Sequence, residues 1–114
     1  MGHSKPPAAA MQESEELLRH KLNSETGRIA WKELERHFAR GAVVKVARGL
    51  DLVDVALKMA GDDQAAVGKW LAEGQVARAS TEDARDWNAR QPTFWAVVAA
   101  PWVLVQEAGP PLDA

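Results

Sequence analysis

Cysteine is absent from the chain, and so is tyrosine. Without cysteine there is no disulfide, no thiolate nucleophile and no zinc–sulfur centre. Glycines stand singly (Gly41, Gly49, Gly61, Gly68, Gly74), so no glycine-rich loop cradles a phosphate. Long apolar runs are missing as well. The longest, Phe94–Val105, has 12 residues, against the roughly 20 that a membrane-spanning helix needs. The opening residues carry no apolar signal core, so no secretory leader is expected and the expected setting is cytoplasmic. No sign of charge dominates. The 14 basic and 16 acidic residues are interspersed and leave a net charge of −2. A nucleic-acid backbone binder needs a basic face, and this balance argues against one.

What is present suits one small domain. The 114 residues fit a single core and no more. Residues 1–10 (MGHSKPPAAA) and 108–114 (AGPPLDA) read as flexible tails flanking a single domain over 11–107. Five tryptophans and two phenylalanines are the only aromatics, so the core must be built around indoles, each with an N–H that needs an acceptor when buried.

The run Thr93–Gln106 (TFWAVVAAPWVLVQ) is rich in valine and aromatics and reads as a long strand, the spine of the domain. Around it the chain predicts a helix over Gln12–Ser24 capped by Ser14. A second follows over Ala30–Arg40, with Trp31, Leu34 and Phe38 on one face and Gly41 ending it. Val43–Ala47 and Leu52–Met59 alternate with period two and predict a hairpin about the loop Arg48–Asp51, with Lys45 opposite Asp54. The second stretch also has helical phase, but the alternation is cleaner. Helices capped by Asp62 or Asp63 and by the box Ser80-Thr81-Glu82-Asp83 follow, the first over Asp63–Glu73 and the second to Arg90. A short strand over Gln75–Ala79 lies between them. Trp31, Trp70 and Trp87 fall on the apolar stripes of their helices and are expected inside. The fold class is therefore α+β: an N-terminal helix pair, then a small, mainly antiparallel sheet of three or four strands with helices packed on it.

Trp31-Lys32-Glu33-Leu34-Glu35, Leu50-Asp51-Leu52-Val53, the pair Asp62-Asp63 and Pro101-Trp102-Val103-Leu104-Val105-Gln106 together resemble a family of short bacterial proteins known as a domain of unknown function. The resemblance covers about Leu17 to Gln106. It implies a bacterial cytoplasmic protein and brings no activity, ligand or catalytic residue with it.

Chemistry-bearing patterns are few. Glu16 with His20 and Glu33 with His37 are spaced one helical turn apart, as metal ligands can be. No third ligand is spaced to complete a site, and helix-surface ion pairing accounts for both. Asp62-Asp63 is explained by helix capping, since no calcium loop surrounds it. None of Ser14, Ser24, Ser80, Thr26, Thr81 and Thr93 lies in a nucleophile motif. Arg28, Lys32, Arg36 and Arg40 recur every four residues, as in a DNA-reading helix, but Glu33 and Glu35 lie among them.

No catalytic residue, metal or cofactor is assigned. The function expected is a non-enzymatic, self-associating or partner-binding module. An apolar strand left open on one face would form a homodimer or hetero-complex around Trp95, Val97 and Val103, with Trp102 beside them. A small carboxylate-using enzyme or ligand-binding protein is the alternative, and it requires Asp54, Asp62, Asp63 or Glu33 to converge in one pocket. Weak nucleic-acid binding through Arg28–Arg40 is the second alternative.

Overall fold

The computed structural model describes residues 8–108, in the order α1 (Ala8–Glu25), β1 (Gly27–Ala30), α2 (Trp31–Ala39), β2 (Val43–Val46), α3 (Leu52–Ala60), α4 (Gln64–Ala72), β3 (Val76–Arg78), α5 (Thr81–Arg90), β4 (Thr93–Ala99) and β5 (Trp102–Glu107). Residues 1–7 and 109–114, read above as tails, lie outside the described residues. Ala8–Ala10 belong to α1, which places Ser14 inside the helix instead of at its cap.

The fold is α+β with a five-stranded mixed sheet in the order β1-β4-β5-β2-β3. β4 pairs antiparallel with β1 and with β5, β5 runs parallel to β2, and β2 pairs antiparallel with β3. The expected helix pair is divided by β1, a strand the sequence reading missed.

The run Thr93–Gln106 is not one strand. It is two, turning back at Ala100-Pro101, whose peptide is cis. Proline donates no ladder hydrogen bond, so an interior strand cannot run through it and the chain reverses there. Both halves lie inside the sheet, β4 between β1 and β5, and β5 between β4 and β2. The edges are the short strands β1 and β3, which offer little template for adding another chain.

The predicted strand over Leu52–Met59 is helix α3, and the predicted hairpin does not exist. The Asp51 carboxylate accepts hydrogen bonds from the backbone N–H groups of Val53 and Asp54, at 3.0 and 3.3 Å, and starts the helix. Leu52, Val55, Ala56 and Leu57 are buried, so the helical phase decides. The loop Arg48–Asp51 is fastened by Gln106, whose side-chain amide donates to the carbonyls of Ala47 (2.8 Å) and Leu50 (2.7 Å).

Other local signals act as their residue types require. Gly41 takes φ +73° after α2, and Ser80 with Asp83 forms a complete capping box on α5.

The core has two halves, one on each side of the sheet. Leu22 of α1 and Leu52, Val55, Ala56 and Leu57 of α3 pack with Val44, Val46, Val97, Ala99 and Leu104. On the opposite side Trp31 and Leu34 of α2 and Trp87 of α5 pack with Val43, Phe94, Val103 and Val105. Helices therefore pack on both faces of the sheet, in three layers instead of two, with Val98 of β4 left 56% exposed on the α2/α5 side. The rings of Trp31, Trp87 and Phe94 form a chain, with centroids 5.7 and 4.9 Å apart. The buried Trp31 Nε1 has no acceptor, against the expectation for a buried indole.

Candidate functional site

Helix α4 (QAAVGKWLA) has one charged residue, Lys69, in nine, yet none of its residues is fully buried. A helix with so little charge ordinarily buries at least one side completely. Its start is fixed by Asp63, whose carboxylate accepts from the Ala66 N–H at 3.1 Å, and Asp62 precedes it at φ +56°. The inner side of α4 leans on α3 and β3, with Trp70 half-buried against the core. Its outer side faces the β4–β5 turn across a groove of about 450 Å³. Met59, Val67, Leu71, Pro101 and Trp102 give this groove apolar walls, with Asp62 and Asp63 at its rim. Leu71 is 53% exposed. The guanidinium of Arg78 stacks over the Trp102 ring, 5.3 Å from its centroid, and stiffens that wall.

A second cleft, of about 360 Å³, opens between α5 and the carboxyl ends of β2 and β5. Clefts at the carboxyl ends of parallel strands are where open α/β sheets take ligands. Trp87, Phe94 and Val105 form its floor, and Lys45, Arg48, Asp83, Asp86 and Glu107 its walls. Its charges are largely committed to one another. Lys45 Nζ donates to Asp83 at 2.9 Å. Arg90 bridges Asp86 and Glu107, with its contacts to Glu107 at 3.0 and 3.1 Å. Burial alone raises the Asp83 carboxyl, but hydrogen bonds from Lys45 and Ser80 outweigh it and hold the group below its ordinary range. Hydrogen bonds from Arg90 hold Asp86 and Glu107 low in the same way, and the two carboxylates push the Arg90 guanidinium up. All three carboxylates therefore stay ionised near neutral pH, and none has the raised pKa of a general acid. The pairs clasp α5 to β2 and β5.

The four residues expected at an interface do not make one surface. Val97 is 2% and Val103 8% exposed, on opposite faces of the sheet. The apolar face that motivated the expectation is largely covered, by α1 and α3 on one side and α2 and α5 on the other. Of the large apolar residues of β4 and β5, only Val98 and Trp95 stay exposed. Trp95 and Trp102 share the α1/α3 face, because the turn at Ala100-Pro101 brings the chain back antiparallel, but they sit at opposite ends of the β4–β5 pair. Trp95 is 37% exposed, with the Arg28 guanidinium 4.8 Å over its ring. Trp102 alone of the four lines the groove.

The four carboxylates do not converge. Asp54 pairs with Arg19 at 3.0 Å, Glu33 lies on α2, and only Asp62 and Asp63 share a site. Lys45 meets Asp83, not Asp54. His37 Nδ1 lies 2.8 Å from an Arg40 nitrogen, and burial, then Arg40 and Arg36, hold its pKa low. His20 and Glu16 line a polar cleft with Arg19, Asn23 and Asp51. Among the described residues no three potential metal ligands gather. Arg28 belongs to β1 and lies beside Trp95, so the basic row expected along α2 loses its first member. The apolar spacing of α4 predicts Leu71 on a buried stripe with Val67 and Trp70, yet Leu71 is 53% exposed, because the helix turns that side to the groove. Met59 and Pro101 carried no signal of a site. The signal available for the groove was the near absence of charge from α4.

No curated protein matches the chain. The NMR solution structure of PA1075 from Pseudomonas aeruginosa is similar, with 41% sequence identity and a TM-score of 0.73 over 96% of this chain and 95% of that one. The chain belongs to the family described as Protein of unknown function (DUF2288), which matches its residues 17–107.

Proposed function

We propose that the protein is a non-enzymatic, self-associating or partner-binding module of the bacterial cytoplasm, and that its working surface is the groove between α4 and the β4–β5 turn. One observation carries this reading: α4 carries a single charge, Lys69, in nine residues yet buries none of them completely, so Leu71 and the neighbouring walls stand open to water. The similarity to a Pseudomonas protein supports a bacterial setting. Among the described residues no helix is long and apolar enough to cross a membrane. The test compares wild type with Leu71→Gln, an exposed position where the fold should be kept. Sedimentation and affinity capture from the native cytosol should show self-association or specific partners that the variant loses. Identical behaviour of the two proteins in both measurements would refute the reading.

A second reading, a ligand-binding protein that uses carboxylates, is favoured by the position of the charged cleft at the carboxyl ends of β2 and β5. It predicts that small zwitterionic metabolites shift the amide resonances of Arg48, Gln75 and Asp86. An NMR titration with no shift there would remove it.

A further inference from the structure

The groove beside α4 has a chemistry that selects its occupant. Its walls are apolar, and the charged side chains lining it are of one sign: Asp62 and Asp63, with no lysine, arginine or histidine. Asp63 is engaged, since its carboxylate caps α4 through the Ala66 N–H. Asp62 is exposed, and no ion pair among the described residues includes it. The helix terminus thus has its partner, and the second carboxylate is open to an incoming cation. Gly68 lines the groove, and an added Cβ there would meet nothing within 4 Å. A glycine inside a helix weakens it, and among the described residues nothing fills the space it leaves. That open floor lets the backbone of another chain come close.

We propose that the groove takes an apolar peptide segment bearing lysine or arginine, with its apolar side chains against Leu71 and Trp102, its backbone over Gly68 and its cation on Asp62. The inference rests on the binding-module reading and adds the chemistry of the partner. An anionic segment would meet the two carboxylates, while the nearby Arg78 is already engaged by the Trp102 ring and the Gly41 carbonyl, so the groove selects by charge as well as by shape.

The test uses two synthetic amphipathic peptides of equal length, one of leucine and lysine, one of leucine and glutamate. Each is titrated into the full chain, and the amide resonances are followed by NMR. The lysine peptide should shift resonances around Asp62, Gly68, Leu71 and Trp102 and bind roughly tenfold or more tighter than the glutamate peptide. Asp62→Asn should bring the two affinities together. Gly68→Leu, which fills the floor with a good helix former, should abolish binding while the urea midpoint stays level or rises. Shifts that map elsewhere, equal affinity of the two peptides for wild type, or no shift at millimolar peptide would overturn the proposal. A dimer seated on the groove and dissolved by Gly68→Leu would give the site to a second copy and overturn it too. If cytosolic partners are lost with Leu71→Gln while neither peptide binds, the charge assignment fails and the module reading stands.

Discussion

Trp87 is the middle ring of the aromatic chain between Trp31 and Phe94 and is 3% exposed. Truncating it opens a cavity at the centre of the α2/α5 layer, so Trp87→Ala should cost about 3–5 kcal/mol. Trp70 was expected to be equally critical, but it is only half-buried against the other core. Trp70→Ala should cost less than half as much, and urea unfolding of the two variants gives the comparison. Glu107 adds a dependence on pH. Its folded carboxyl is held below the ordinary range by Arg90. It therefore stabilises the fold above the unfolded-state pKa, and that contribution fades as pH falls through the folded value. The stability gap between wild type and Glu107→Gln should be widest near neutrality and close in acid. A gap that widened on acidification would show that Arg90 is not the controlling partner.

Among the elements, two of the glycines at or within helices, Gly41 and Gly68, should respond with opposite sign. Gly41 sits at φ +73°, and a Cβ there would lie 2.9 Å from Arg78 Nη2. Gly41→Ala should therefore cost about 1–2 kcal/mol. Gly68 has helical backbone and open space, so Gly68→Ala should gain about 1 kcal/mol. Thermal unfolding of both variants settles the pair. Helix α3 shows why some elements were legible in the sequence and others were not. In nine residues the pattern Leu52, Val53, Val55, Leu57, Met59 satisfies both a period of two and a period of 3.6. The cap at Asp51 was the deciding feature, and it was read as part of a turn. The Ser80 box and Gly41 were legible because each depends on adjacent residues alone. β1 was not, since Gly27–Ala30 has no strand pattern of its own and is ordered by its ladder to Thr93–Ala96. The groove combines α3, α4 and a distant turn, so only the missing charge of α4 hinted at it.

At the scale of the whole molecule, the placing of β4 and β5 governs how the chain can come together. The last two strands in sequence lie in the interior of the sheet, and β5 joins β4 and β1 to β2 and β3. A ribosome delivers the chain from its N-terminus, so β2 and β3 emerge well before the strand that connects them to the rest. Until Trp102–Glu107 is free, neither core half has all of its strands, because Leu104 belongs to one and Val103 and Val105 to the other. Domains usually fold as units during or after synthesis, and here the unit can close only with its final segment. A chain stopped at Ala99 should show no cooperative urea transition and no dispersed amide spectrum. Retention of a native-like spectrum would mean that the first four strands suffice. The domain is thus obliged to remain open to chaperones, proteases and its own neighbours until β5 has emerged, and then to close almost at once.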